Sequence, residues 1–188
     1  MRNAEVTKER ILDAAMDEFS SYGIAGARVD HIAKKAGCNK NLIYIYFENK
    51  ETLFTTVLEK NLSRVYEEID FTPEDLPGYA VRVFDFTMTH PSLCRLMAWY
   101  GLEQKAGNLT ERASIQEKKL KEINNAQNSG LVGTTFTPGF LMTAIMSLAT
   151  AWLTMNPFGP SLDPDAVKKP KETREAISKA VSLIVRGK

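Results

Sequence analysis

The chain has 188 residues, of which 44% are hydrophobic and 25% are charged. This composition is typical of a globular protein with one or two domains, and it excludes a chain too polar to form a hydrophobic core. Lysine and arginine number 24 and aspartate and glutamate 23, so the formal net charge of +1 gives no sign of a generally basic protein. The charge is nevertheless uneven, because residues 28–50 hold five basic residues against two acidic ones. A local excess of this kind is what a DNA-facing surface requires.

The cysteines and the apolar runs indicate where the protein is found. Cys38 and Cys94 have no CxxC spacing, so neither a disulfide framework nor a zinc site is predicted, and a reducing cytoplasm is expected. The N-terminal residues lack the apolar run of a signal peptide. The most apolar run, residues 140–153, is shorter than the ~20 residues that span a bilayer. We therefore expect a cytoplasmic protein with no membrane partner, metal or cofactor.

Helical periodicity dominates the chain, and no convincing strand-like alternation is present, so the sequence predicts an all-α fold. The first helix is predicted over residues 7–22. Ile11, Ala15 and Phe19 recur there at helical spacing, which gives an amphipathic helix with one apolar stripe. Gly23 is expected to break this helix.

Two short helices and the start of a longer one follow. Apolar residues at helical spacing predict a second helix over residues 29–36, and Gly37 is the residue type that ends helices. Asn39 is expected to cap a third helix, and a long helix capped by Asn49 is predicted to begin at Lys50. This order is the plan of a helix-turn-helix reader of DNA.

The rest of the chain is predicted to form a larger helical unit. Its helices are expected over residues 72–90, 92–105, 110–128, 138–155 and 165–185. Pro170 predicts a kink or a separate first turn in the last of them. We expect residues 1–48 to form a three-helix domain and residues 49–188 to form the larger helical domain.

The third predicted helix carries polar side chains at its N-terminal end, which is the end that enters the major groove. Lys40 can donate to O6 and N7 of guanine, and Asn41 can pair with N6 and N7 of adenine. The hydroxyls of Tyr44 and Tyr46 can donate to phosphate. Lys50 stands at a helix N-terminus, where the amide groups also face an anion.

The N-terminal segment resembles the DNA-binding domain of the TetR family of transcriptional regulators over residues 8–54. The residues that carry the resemblance are Arg10-Ile11-Leu12, Ala14-Ala15, Phe19, Gly23, Ile32-Ala33, Ala36-Gly37, Tyr44, Tyr46-Phe47, Lys50 and Leu53-Phe54. The resemblance implies that the residues approaching bases are Lys40, Asn41, Leu42 and Ile45. It implies that the residues holding the DNA backbone are Arg28, Tyr44, Tyr46 and Lys50.

Three residues depart from the family's pattern. Arg28 stands where the family usually has Thr, so it keeps a phosphate contact but cannot cap the second helix. Leu42 stands where Thr or Ser is common, and it can meet a thymine methyl group but cannot hydrogen-bond a base. Cys38 replaces the usual Val and fills the same small apolar space. These changes bear on sequence preference rather than on DNA binding.

Some of these residues also have a purely structural interpretation. Ile43 and Phe47 are expected in the core. Tyr46 can be half-buried with its hydroxyl in water. Lys34 and Lys35 are expected on a solvated face, where they add to the general positive field without a specific contact.

The resemblance implies that the second domain binds a small ligand and dimerises through its last two long helices. The candidate pocket residues are Phe84, Met88, Met97, Trp99, Tyr100 and Trp152, although the same residues also describe an ordinary core. The candidate dimer faces are Ala144, Ser147, Leu148 and Ala151 on one helix and Ala176, Ala180, Leu183 and Ile184 on the other, which would form a four-helix interface. The alternative is that both helices only close the core of one subunit.

The sequence therefore predicts a DNA-binding transcriptional regulator, a repressor released from its operator by an unidentified small-molecule ligand. A homodimer would bind double-stranded DNA at a near-palindromic operator, with half-sites ~34 Å or somewhat more apart. The alternative is a helical small-molecule-binding or interaction protein that has lost DNA binding. An enzyme is not expected, since no GxSxG, HExxH, P-loop or GxGxxG motif is present and there are only two histidines.

Overall fold

The computed structural model describes residues 2–103 and 110–186, without the side chains of residues 2, 3, 110 and 111. Within these ranges all regular secondary structure is helical, which confirms the predicted all-α class. The helices are α1 (Arg2–Gly26), α2 (Val29–Ala36), α3 (Lys40–Phe47), α4 (Lys50–Glu68), α5 (Leu76–Thr89), α6 (Pro91–Glu103), α7 (Thr110–Asn128), α8 (Pro138–Ala149), α9 (Gly159–Leu162) and α10 (Pro170–Arg186), with 3₁₀ turns at Pro73–Asp75 and Ala166–Lys168. In this described part of the chain, none of the helices has the length and apolarity that a bilayer span requires.

The chain divides into two compact units. The N-terminal unit comprises residues 1–65 and 90–109, so it contains α1–α3, most of α4, and α6. The C-terminal unit comprises residues 66–89 and 110–188. The predicted domain boundary between residues 48 and 49 is a different division, because it separates a DNA-binding part from a ligand-binding and dimerisation part. It stays a prediction.

The core of the N-terminal unit forms where α1 packs against α2 and α6. The predicted stripe of Ile11, Ala15 and Phe19 is fully buried. The Phe19 ring meets Phe54 of α4 edge-on, with centroids 5.2 Å apart and ring planes at 83°. Such a pair contributes ~0.5–1.5 kcal/mol beyond the burial of the two rings. The apolar spacing in the sequence thus determines which face of α1 turns inward.

The first helix is longer than predicted and bends at Gly23 (φ 66°, ψ −176°). This backbone geometry is essentially open to glycine alone. Space excludes a side chain as well, since a Cβ would lie 2.3 Å from Glu103 Oε1 and 2.7 Å from the Trp99 ring. The Glu103 carboxylate accepts from the N–H groups of Ile24 (2.7 Å) and Ala25 (3.2 Å). Helix α6 therefore supplies the acceptors for the amide groups that the bend in α1 leaves unpaired.

The ends of the short helices follow local signals, as predicted. Gly37 ends α2 in the left-handed region (φ 63°, ψ 40°), where glycine carries no steric penalty. Asn39 caps α3, its side-chain oxygen accepting from the Asn41 N–H at 2.9 Å. Asn49 caps α4 in the same way, accepting from the Thr52 N–H at 2.7 Å. Each cap satisfies an amide group that the helix start leaves without a partner.

In the C-terminal unit α5 packs against α10 and α8. Residues 73–75 form a separate 3₁₀ turn, so α5 begins at Leu76, later than predicted. Pro170 begins α10 and separates it from the preceding 3₁₀ turn, as predicted. The predicted end of α6 at residue 105 lies outside the described residues.

Helix α8 is shorter than predicted. It ends at Ala149 instead of near residue 155. At Thr150 the backbone leaves helical geometry (φ −110°, ψ 8°), and the Thr150 hydroxyl donates to the Met146 carbonyl at 2.7 Å. A side chain that bonds back to its own helix in this way competes with the regular ladder.

Candidate DNA-binding interface

Helix α3 has one buried face and one exposed face. Ile43 and Phe47 are buried, which confirms their expected place in the core. Asn41 and Tyr44 are exposed, and Ile45 is 72% exposed. The exposed face thus combines hydrogen-bonding groups with apolar surface, and a major groove can receive both.

Lys40, the predicted base reader, is held by an acid of the preceding helix. Its Nζ lies 3.0 Å from Oδ1 and 3.2 Å from Oδ2 of Asp30 on α2. The two side chains are 42% and 58% exposed, so the pair contributes at most ~1 kcal/mol. A base contact by Lys40, as predicted from the sequence, would require it to exchange this carboxylate for the base. The sequence alone does not distinguish Asp30, because an acid in the first turn of a helix is ordinary.

Two of the predicted backbone contacts also hold the fold. Tyr46 is half-buried, with its ring edge-on to Phe47 at 6.3 Å and below the Lys8 ammonium at 5.5 Å. Lys50 Nζ donates to the Ala27 carbonyl at 3.3 Å, which ties the start of α4 to the segment between α1 and α2. The first of these contacts brings Lys8, a residue not predicted from the sequence, beside Tyr46.

Arg28 stands at the N-cap position of α2 without capping it. Its backbone is extended (φ −112°, ψ 117°) and its side chain makes no cap bond, as expected for Arg in the place of Thr. Glu18 of α1 supports this end of the helix in a different way, because its Oε1 accepts from the N–H of Arg28 itself at 2.9 Å and lies 3.3 Å from His31 Nδ1. The Arg28 side chain is left exposed at the surface. Leu42, which also departs from the family's pattern, is half-buried on α3.

Several other lysines of the N-terminal unit are also paired with acids. Lys35 Nζ lies 2.6 Å from Asp17 Oδ2, and Lys60 pairs with Glu9. Lys34 is exposed. Exposed pairs of this kind contribute little, so a phosphate can replace the carboxylate at small cost.

The six predicted pocket residues fall in both units. Phe84 and Trp152 lie together in the C-terminal unit, with rings edge-on and centroids 6.2 Å apart. The Trp152 Nε1 is buried and finds no hydrogen-bond partner among the described residues. Met88 is half-buried in the same unit, whereas Met97, Trp99 and Tyr100 lie on α6 in the N-terminal unit. The structure thus brings two of the six residues together, and a shared pocket stays a prediction.

Helices α8 and α10 expose apolar and small side chains. On α8, Phe140 and Ser147 are exposed, and Phe136 stacks on Phe140 with centroids 4.8 Å apart. On α10, Ala176 is exposed and Leu183 is 70% exposed. The other residues of the predicted dimer faces are half-buried, namely Ala144, Leu148, Ala151, Ala180 and Ile184. A dimer through these faces stays a prediction.

Two family models match the chain. The model for bacterial regulatory proteins of the tetR family matches residues 11–57, and the model for the tetracyclin repressor-like C-terminal domain matches residues 75–182. A curated relative, HTH-type transcriptional repressor SCO4008 of Streptomyces coelicolor, is 36% identical over 159 residues. This match covers 83% of the chain and 82% of the relative.

Solved structures agree with these matches. Putative transcriptional regulator SCO4942 from Streptomyces coelicolor is 34% identical, with a TM-score of 0.83 over 95% of this chain and 98% of its own. FadR from Bacillus subtilis, solved in complex with stearoyl-CoA, has a TM-score of 0.62 over 94% of this chain and 97% of its own, and at 20% identity this likeness is one of fold alone. The chain therefore belongs to the TetR family, and it is a DNA-binding transcriptional regulator rather than an enzyme.

Proposed function

We propose that the chain acts as a homodimeric repressor that leaves its operator when a small-molecule effector binds. The observation that carries the DNA-binding part is the exposed face of α3, where Asn41, Tyr44 and Ile45 are uncovered while Ile43 and Phe47 are buried. The repressor part is supported by the relative SCO4008, which is named a transcriptional repressor and is 36% identical to this chain.

The proposed DNA contacts divide by chemistry. Lys40 donates to a base edge, Asn41 donates to N7 and accepts from N6 of an adenine, and Leu42 and Ile45, whose side chains cannot hydrogen-bond, meet thymine methyl groups. The residues that hold phosphates are Arg28, Tyr44, Tyr46 and Lys50. Since phosphate contacts position the protein without reading sequence, loss of one of them weakens binding to all DNA alike.

In the proposed dimer, residues 1–48 read DNA and residues 49–188 sense the ligand and pair with the second copy. Helices α8 and α10 of the two copies form the interface, which would cover Leu183 and the stacked pair of Phe136 and Phe140. The two copies of α3 enter successive major grooves, so the operator is a near-palindrome with half-sites ~34 Å or somewhat more apart.

The effector part of the proposal rests on α4. This helix begins at Lys50, beside the proposed DNA contacts, and continues to Glu68, and its residues belong to both compact units. A ligand that binds more tightly to the conformation with α4 in one placement than to the conformation with α4 in another shifts the population between DNA-binding and non-binding states. FadR, a protein of the same fold, was solved with stearoyl-CoA, which gives an example of a small molecule bound to this fold.

The proposal is tested by fluorescence anisotropy and footprinting on the DNA upstream of the protein's own gene. We expect a salt-dependent complex with a near-palindromic footprint, and we expect sequence preference to fall when Lys40 and Asn41 are both changed to Ala. Lys118→Ala, an exposed change on α7, is the matched control and should bind as the wild type does. Equal binding to unrelated DNA without a footprint would favour the helical protein that has lost DNA reading. A monomer by sedimentation at micromolar concentration would contradict the dimer.

A further inference from the structure

The ammonium group of Lys119, on α7 of the C-terminal unit, is surrounded by aromatic rings. Its Nζ lies 4.9 Å from the ring centroid of Tyr79, 5.2 Å from that of Phe71 and 5.7 Å from that of Tyr66. The same Nζ donates to the Tyr79 hydroxyl at 3.0 Å. Tyr79 is buried, whereas Phe71, Tyr66 and Lys119 are half-buried, so solvent still reaches the cluster.

Within the described residues, the positive charge of Lys119 has no carboxylate close to it. Among the side chains that the structure describes, no Asp or Glu oxygen lies within 4.0 Å of its Nζ. Glu122 acts on Lys119 from farther away, and its own ion-pair partner is Lys118 at 3.9 Å. Burial lowers the pKa of Lys119 and raises the pKa of Tyr79, so the phenol stays neutral and supplies no counter-charge. A charge in such a setting is normally paired.

A second cation, Arg82, lies one turn along α5 from Tyr79. Its guanidinium donates to the Asp75 carboxylate and to the Asp70 carbonyl, both at 3.1 Å. Its Nε is buried and has no hydrogen-bond partner in the described part of the chain. Asp75 is also engaged at the start of α5, where it accepts from the Gly78 N–H at 2.9 Å. Two cations, Lys119 and Arg82, therefore lie near Tyr79, and the carboxylate that pairs with Arg82, that of Asp75, is also bonded to the Gly78 N–H at the start of α5.

We propose that Lys119, together with Tyr79, receives the anionic group of the effector, which is a carboxylate, sulfonate or phosphate joined to a flat apolar body. This inference rests on the proposed ligand response and names the chemical class of the ligand. The ammonium has three donors, of which the Tyr79 hydroxyl takes one, so donors remain for an anion. Phe71 and Tyr66 offer apolar surface to the rest of the molecule. An organic cation would have to displace Lys119 from the rings and then lie beside its charge.

The cluster also reaches the helix that begins at the DNA surface. Tyr66 lies in the last turn of α4, and Lys50 lies in its first. An anion that draws the Lys119 ammonium away from the Tyr66 ring changes the contacts at one end of α4. The same binding event therefore acts on the element that carries Lys50 at its other end.

The test compares two fluorescent probes on the full-length protein. Anilinonaphthalene sulfonate carries an anionic group, and N-phenylnaphthylamine has a similar aromatic body without charge. Lys119→Met should weaken binding of the sulfonate by ~10-fold or more, as expected for losing a hydrogen bond to a charged group. The uncharged probe should change by less than about twofold. Lys121→Met, an exposed change on the same helix, is the matched control and should bind both probes as the wild type does.

Equal losses for both probes would overturn the proposal, because Lys119 would then act only through packing. If Lys119→Met does not fold, competition on the wild-type protein decides. Naphthoate should displace the bound sulfonate, and stronger displacement by trimethylnaphthylammonium would overturn the anion assignment. Operator binding is measured in the same samples without probe. If the protein binds anilinonaphthalene sulfonate through Lys119 but binds no DNA, the result contradicts the proposed function alone. If it binds its operator but shows no preference for the anionic probe, the result contradicts only this inference.

Discussion

Asp30→Asn should tighten operator binding, because it releases Lys40 from its ion pair. In the free protein Lys40 Nζ lies 3.0 Å from Asp30 Oδ1, and the two side chains are 42% and 58% exposed. A pair this exposed contributes ~0.2–1 kcal/mol, which is lost before Lys40 reaches a base. Asp30→Asn removes this free-energy cost of breaking the ion pair and adds no contact to DNA, so Kd should fall ~1.5–5-fold.

Fluorescence anisotropy with labelled operator measures this effect, and a double-mutant cycle assigns it. Asp30→Asn should have no effect on Kd in the Lys40→Met background, since the pair no longer exists there. Asp17→Asn, which frees Lys35 from a 2.6 Å pair, is the control and should leave sequence preference unchanged. Weaker binding of Asp30→Asn would refute the reasoning and mean that Asp30 orients Lys40 on DNA. The same gain in both backgrounds would also refute it, and would point to a general effect of charge.

Lys50→Ala should weaken binding to every sequence alike and lower the slope of log K against log salt by ~1, because it removes a phosphate contact; a changed base preference in a binding-site selection would contradict this. Gly23→Ala should lower the free energy of unfolding by ~3 kcal/mol in urea titrations, because it adds backbone strain and crowding against Glu103 and Trp99; wild-type stability would mean that α1 does not bend there. Burial raises the pKa of Cys94 from 9.0 to about 11, so the unfolded thiol loses its proton first and stability should fall as pH rises through this window. Cys94→Ala should flatten that fall in pH-dependent unfolding, and an unchanged slope would count against the shift.

The short helices of the reader could be predicted because their signals are local. Asn39 bonds an amide two positions ahead and Asn49 an amide three positions ahead. Gly37 acts through its own backbone angles. The burial of Ile43 and Phe47 follows from their spacing on one face of α3. In each case the information lies within one or two helical turns.

The supports that come from other helices could not be predicted. Glu18 reaches the start of α2 from 10 residues away, and Glu103 reaches Ile24 from 79 residues away. A carboxylate that accepts from the backbone at the end of another helix has no fixed spacing and resembles any surface acid. The loss of the local cap at Arg28 was visible in the sequence, but the bond from Glu18 to the Arg28 N–H required the packed structure.

The C-terminal unit was predicted less well for a different reason. Apolar periodicity is the same for a core and for a pocket wall, so the predicted pocket combines Phe84 and Trp152 with residues of α6 that belong to the other compact unit. The sequence does not distinguish Lys119, because α7 is rich in charge and a lysine there is expected on a solvated face. Its significance depends on Tyr66 and Phe71, which approach it from outside α7.

The exposed Ile45 has a thermodynamic consequence. At 72% exposure its apolar surface is hydrated in the free protein. A specific complex that covers this side chain should show a negative heat capacity change on association. A non-specific complex held by phosphates leaves the side chain in water and lacks that contribution. The preference for the operator over other DNA is therefore expected to depend on temperature through an aliphatic side chain, separately from the dependence on salt that the lysines impose.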